Sequence, residues 1–419
     1  KKLKAVPETE KPILDQMTKT GIAYLDKELR SEYGRRPKKE EEDISAAQIQ
    51  YLYMRSFFPE IGLPGSVFPA MNYYRKQAVH YWPKQNAYLQ GMIALFLYRT
   101  GDRKTAGDIL ASLKENATQS EDLGMYWKSV KSGYHWQEAP VETQSLLIEA
   151  FDEISPDPKL TGQMKYWLLR QKQTRHWSNT KATADACYAL LLSGGDWLGP
   201  TQDADIRLGD LSIHTTDAKT EAGTGYFKKV IPGDAVRPEM GDIRVTLRPE
   251  AGKTASPSWG ALYWQYFENL DRITGAASPL AISKALFIEK NTNRGPVLEP
   301  VREGNTLVPG DKLIMRITIN SDRDMEYVHL KDMRAACLEP VNVLSGYHWQ
   351  GNLGYYESIG DESSNFFFDF LPKGTHVFEY PLFVTAEGDY SNGVSELECM
   401  YAPEFAAHTE GIRIRVRTK

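Results

Sequence analysis

The chain has 419 residues, 41% hydrophobic and 25% charged, with a formal net charge of −5. That length suggests two or three domains, and the composition belongs to chains that bury ordinary cores rather than stay disordered. The acidic balance argues against nucleic acid as a main partner, and no apolar run approaches the roughly 18 residues of a membrane span. Residues 1–10 hold no signal-peptide core, and the absence of an initial Met suggests a fragment or a processed form.

In chain order, the first 195 residues read as helical hairpins. Pro12 suits a first helical turn, and Ile13, Met17, Gly21, Tyr24 and Leu29 recur at helical spacing. After a charged loop from Arg35 to Asp43, Asp43 is the candidate cap for a stripe of Ile44, Ala47, Tyr51, Met54 and Phe58. Met71, Tyr74, Ala78 and Tyr81 form the next stripe. Lys84–Arg99 is apolar on most of its surface and predicts an inner helix. Gly101 stops it, and Asp102 caps a helix carrying Ala106, Ile109, Leu110 and Leu113. Leu123–Trp136 reads as a long loop or small hairpin. Helices follow over Glu138–Ile154, Pro158–Gln173 (capped by Asp157) and Thr180–Leu192, the last ended by Gly194-Gly195.

From residue 200 the apolar period changes to two, the signature of half-buried strands. Ile243, Val245 and Leu247 alternate with polar residues, as do Leu313, Met315, Ile317 and Ile319, then His376–Val384, then Ile412, Ile414 and Val416. Trp259–Phe267 is apolar on both faces and predicts a central strand. Pro309-Gly310-Asp311, Pro372-Lys373-Gly374 and Glu387-Gly388-Asp389 are turn signals, so antiparallel sandwiches are expected. Residues 200–276 supply too few strands for a two-layered sandwich, which predicts partner strands upstream of residue 1.

Chemistry-bearing patterns are sparse. Asp185 and Cys187 point about 200° apart on a helix and cannot face one ion. His80, His135 and His176 lack metal-ligand spacing, and no phosphate loop or nucleophile elbow is present. No cofactor or metal is implied. The cysteines Cys187, Cys337 and Cys399 read as buried thiols rather than a disulfide framework. The aromatic loop ends around Tyr126, Trp127, Tyr134, His135, Trp136, His176 and Trp177 fit a sugar cleft of a polysaccharide lyase, a non-catalytic glycan- or surface-binding face, or plain packing at hairpin ends.

Several segments carry a family resemblance. Tyr81-Trp82-Pro83, Pro140–Phe151 and Trp177–Leu192 resemble the thioester-domain helices of alpha-2-macroglobulin-like proteins. Tyr327–Asp332 followed by Leu338-Glu339-Pro340, with Pro372–His376, Glu379-Tyr380, Gly388–Tyr390 and Met400–Glu404, resembles the family's terminal macroglobulin-like sandwich, and the middle region resembles half of its CUB-like module. The implied fold is multidomain α plus β: a partial α/α toroid of helical hairpins followed by antiparallel β-sandwich modules. The implied domains are 1–197 (N-terminally incomplete toroid), 198–276 (incomplete CUB-like module) and 277–419 (terminal sandwich). The resemblance implies the scaffold and interaction portion of an endopeptidase inhibitor, a protease trap and not an enzyme. It would sit in the periplasm or cell envelope, with a lipid anchor carried by an upstream part.

In this family a thioester joins a Cys to a Gln three residues later, in Cys-x-Glu-Gln. Here Cys187 precedes Tyr-Ala-Leu, Cys399 precedes Met-Tyr-Ala, and Cys337-Leu338-Glu339 ends in Pro340, so no acyl donor exists in this chain. The implied partners are proteases, met by the full-length molecule, and an intramolecular contact between toroid and terminal sandwich. Trp127, His135, Trp136 and Trp177 are the candidate interaction residues.

Overall fold

The computed structural model describes residues 10–35, 44–133, 136, 139–192, 203–221, 226–248, 258, 260–270, 272–302 and 304–418. Two compact units divide the chain: Lys1–Arg170 with Trp177–Trp259, and Gln171–His176 with Gly260–Lys419.

Eight α-helices carry the first half: α1 (Lys11–Arg35), α2 (Ala46–Arg55), α3 (Phe68–Tyr81), α4 (Ala87–Arg99), α5 (Arg103–Glu115), α6 (Pro140–Ile154), α7 (Pro158–Thr174) and α8 (Thr180–Leu191). Their starts follow from caps. Asn86 accepts from the Leu89 amide, Asp102 from Thr105, Asp157 from Lys159 and Leu160, and Asn179 from Ala182. The cap of α2 is Ser45, whose hydroxyl accepts from the Gln48 amide while Gln48 reaches back to the Ser45 amide, a reciprocal box that replaces the expected Asp43. Asp43 lies outside the described residues, as do Gly194 and Gly195.

Helix α4 is the inner helix. It is packed by α2, α5 and α6, and residues such as Ala94, Leu95 and Leu97 are fully buried. Its Gly91 meets the Leu147 side chain of α6, where a Cβ would stand 2.8 Å from a leucine methyl. The polar run Thr143-Gln144-Ser145 in α6 is buried because each side chain finds backbone carbonyls: Thr143 on Ala139, Ser145 on Val141, and Gln144 Nε2 on Met125 (2.8 Å) and Met164 (3.1 Å). Between α5 and α6, β1 (Thr118–Ser120) and β2 (Gly124–Tyr126) form a small hairpin that starts before the expected Leu123–Trp136 segment, whose described residues after Tyr126 are loop.

A three-stranded antiparallel sheet follows, in order β4-β3-β5, from β3 (Asp203–Leu208), β4 (Leu211–His214) and β5 (Ile243–Arg248). Its register puts Ala204, Ile206, Leu208, Leu211, Ile213, Ile243, Val245 and Leu247 on one face and mostly charged or hydroxylic residues on the other. Half-burial of β5 was the expectation, yet Ile243 and Val245 are 46% and 56% exposed, because no second layer among the described residues covers that face. The expected central strand at Trp259–Phe267 does not form. Residues 260–268 are irregular, with Tyr263, Tyr266 and Phe267 exposed; a strand apolar on both faces requires two covering layers, and neither is present among the described residues.

The terminal sandwich runs β6 (Leu280–Thr292), β7 (Gly295–Pro300), β8 (Thr306–Leu307), β9 (Lys312–Ser321), β10 (Met325–Met333), β11 (Leu338–Pro340), β12 (Gly346–Gln350), β13 (Leu353–Ile359), β14 (Ser363–Leu371), β15 (Gly374–Val384), β16 (Gly388–Ser391), β17 (Ser395–Cys399), β18 (Ala406–His408) and β19 (Arg413–Val416). One sheet is ordered β12-β13-β14-β10-β17-β18, the other β11-β15-β9-β6-β7, and a third β16-β19-β8. Leu313, Met315, Ile317 and Ile319 of β9 are fully buried, as their alternation predicts, and Phe366, Phe368 and Phe378 fill the core. The expectation of purely antiparallel pairing fails at one place. β19 pairs with β8 in parallel over two residues, Arg415 with Thr306 and Val416 with Leu307, as a short third-sheet link rather than a crossover unit.

Candidate functional site

Of the four aromatic candidates, Trp127 is buried, its Nε1 donating to the Leu113 carbonyl at 2.8 Å and its ring lying 6.2 Å from Phe151. The cavity beside it, lined by Val130, Pro140, Gln144 and Trp167, is about 10 Å³, too small for more than one water. Packing, not exposure, is therefore the role of Trp127. His135 and Tyr134 lie outside the described residues. Trp177 is half-buried against the helical core, with its Nε1 buried and unpartnered among the described residues. Trp136 is 42% exposed and meets Tyr88 edge-on at 5.7 Å.

Trp136 belongs to a small polar cluster built by α4, α6 and α8. Lys181 Nζ donates to Tyr88 Oη (3.2 Å) and Asp185 (2.9 Å), and Asn179 Nδ2 approaches Glu142 at 3.5 Å. Burial pushes the Tyr88 phenol up despite the lysine. Tyr51 and Tyr53 are pushed up likewise, by burial first, with their hydroxyls donating to Asp26 and Glu149. These three buried phenols hold their protons and serve as donors or partners between helices. The Asp26–Tyr51–Arg55 and Tyr53–Glu149–Arg99–Glu153 networks join sequence-distant helices, which is why spacing alone does not reveal them.

Cys337 and Cys399 are buried, and burial raises both thiols, Cys337 to about 11, away from the reactive thiolate. Cys187, expected to be buried, is exposed on α8, and Asp185 pairs with Lys181 one turn away. No cluster of metal-binding side chains occurs among the described residues, and no described helix is long and apolar enough to cross a membrane.

A buried polar group lies inside the terminal sandwich. Lys284 sits on the inward face of β6 and Asp332 on the inward face of β10, so opposite charges from the two facing sheets meet at 2.7 Å with both side chains fully buried. Asp332 also accepts from the Tyr380 hydroxyl and from Ser395 Oγ (2.6 Å). Lys284 Nζ further donates to the carbonyls of Met333 (2.6 Å) and Asn392 (3.1 Å). Sequence spacing gives little sign of the pair, because Lys290 shares the period-two face of Lys284 and Glu326 that of Asp332.

Nearer the sandwich edge, Glu357 is buried and its carboxyl is raised by desolvation, opposed by His348 at 3.2 Å. A raised carboxyl contributes stability that is complete below the ordinary Glu value and lost as pH rises through the folded-state value. Glu357→Gln is therefore expected to melt above the parent at neutral pH, with the difference closing below about pH 4, as thermal unfolding across pH would show.

Comparison with known proteins follows the division of the fold. Residues 280–404 match the family described as the bacterial alpha-2-macroglobulin MG10 domain. Among solved structures, the chain is similar to Salmonella alpha-2-macroglobulin reacted with methylamine (13% identity, TM-score 0.31), covering 95% of this chain and 24% of that one. It is also similar to trypsin-activated alpha-2-macroglobulin from Escherichia coli (11% identity, TM-score 0.38), covering 88% and 25%. A native Escherichia coli piece from domain MG7 to the C-terminus is a further match (11% identity, TM-score 0.28), covering 93% and 57%. The chain thus spans about a quarter of the first two. A search of the curated proteins finds no match.

Proposed function

We propose, on the premise that residues 280–404 match the alpha-2-macroglobulin MG10 domain, that this chain is the scaffold and interaction portion of an alpha-2-macroglobulin-like endopeptidase inhibitor. The observation that carries the reading is that match, placed after helical hairpins and an uncovered three-stranded sheet in one chain. In this reading the chain performs no catalysis, contributes no thioester, and works outside the cytoplasm. The protease is met by the complete molecule.

The amphipathic sheet supports the same reading. Its apolar face would be covered by strands from elsewhere in the complete protein, completing a CUB-like module. Val245→Lys is expected to leave the melting temperature of this chain within about 2 °C, since surface changes move stability by less than about 0.5 kcal/mol. The same change should prevent assembly of the complete protein, read as a larger hydrodynamic radius and faster proteolysis of residues 203–248.

Capture of a protease tests the function. The complete protein, mixed with a protease that cleaves it, is expected to carry that protease with it through size-exclusion chromatography. Elution of the protease at its own position would refute the reading. Trp136, the most open of the described aromatic candidates, is the proposed contact, and Trp136→Ala should lower the captured fraction without shifting the melting temperature.

A further inference from the structure

We propose that the Lys284–Asp332 pair closes into an amide, an intramolecular isopeptide bond between Lys284 Nζ and Asp332 Cγ that joins the two facing sheets of the terminal sandwich. Three observations carry it. Both side chains are fully buried with Nζ 2.7 Å from Oδ1. Each stands on a regular strand, Lys284 opposite Ile317 of β9 and Asp332 between Ser364 of β14 and Ser395 of β17, which fixes the two backbones. The carboxylate is already held by two hydroxyl donors, Tyr380 on Oδ2 and Ser395 on Oδ1.

The chemistry balances without a co-reactant. The ammonium passes one proton to the carboxylate, which erases two charges in a dry interior that disfavours both. The freed nitrogen lone pair attacks Cγ, and the negative charge that develops on Oδ2 faces the Tyr380 hydroxyl. Oδ1 departs as water, carrying the first proton, received directly from Nζ, and a second one lost from nitrogen, with the Ser395 hydroxyl relaying it. Ammonium plus carboxylate becomes amide plus one water. The Met333 and Asn392 carbonyls hold the nitrogen beside Asp332 before reaction, and one of them remains the acceptor for the single amide N–H afterwards. Fixed juxtaposition of this kind corresponds to effective concentrations of roughly 10⁵ M or more.

Intact mass spectrometry of the folded 419-residue chain is the test. The expected mass is one water below that of the linear sequence, with tandem spectra of a digest showing a branched peptide that joins β6 to β10. Lys284→Arg, which keeps the charge but not the amine, should restore the full mass, and Tyr380→Phe should slow water loss roughly 100-fold in freshly folded protein. A full mass in folded parent protein after prolonged incubation, or a water loss mapped to any other residue pair, overturns the proposal. The parent measurement decides the matter even where a variant fails to fold.

Discussion

Replacing Asp26 by alanine is expected to destabilise the helical unit by about 3–4 kcal/mol and to release α1 from it. Helix α1 is 25 residues long, yet only Ile22, Asp26 and Leu29 are buried along it. Asp26 is thus one of three anchors, and the polar one. Its carboxylate accepts from Tyr51 Oη at 2.5 Å and lies 3.3 Å from Arg55 Nε, with the Asp26 and Arg55 side chains each 4% exposed. Arg55 keeps the carbonyls of Phe58, Ile61 and Gly62, but a buried guanidinium without its counter-charge is costly, and the Tyr51 hydroxyl would lose its acceptor. Faster amide exchange across residues 11–35 and a lower denaturation midpoint should follow. The double change Asp26→Leu with Arg55→Met should recover most of the loss, because it removes both charges together. Unchanged exchange in α1 after Asp26→Ala would show that the helix is held by something else.

Phe366→Ala should have a comparable effect in the terminal sandwich, about 4 kcal/mol. The ring is fully buried, with Phe378, Tyr380 and Tyr355 centroids at 5.0, 5.5 and 5.7 Å. Its loss opens a cavity among aromatic neighbours that are themselves fixed by cross-strand pairing, so little collapse is available. Phe370, four residues along the same strand and 46% exposed, is the control: its alanine variant should stay within about 0.5 kcal/mol of the parent. Chemical denaturation of the two variants side by side separates the cases. Equal losses would mean that β14 is not seated in the core as described.

The contrast shows what residue patterns convey. Local rules carried far: Asp102 and Asp157 cap the helices they precede, although Ser45 rather than Asp43 caps α2, and the Leu313–Ile319 alternation is a buried strand face. Rules that depend on what lies above a surface did not. Ile243, Val245 and Leu247 alternate as a half-buried strand should, and Leu262–Phe267 is as apolar as a central strand, yet burial needs a covering layer that sequence periodicity does not supply. Polar networks were least legible, since Asp26 meets Tyr51 and Lys284 meets Asp332 across different elements. Trp127 illustrates the limit of loop reasoning: it sits just past a hairpin strand, but its indole N–H reaches the Leu113 carbonyl and the ring is buried.

The most direct measurement takes the complete protein, saturates a protease with it, and follows cleavage of a folded protein substrate and of a small chromogenic peptide in parallel. In the proposed reading the complete protein encloses the protease and leaves its active site open, so protein cleavage should fall to a small residual while peptide hydrolysis persists. Undiminished cleavage of both substrates would contradict the account.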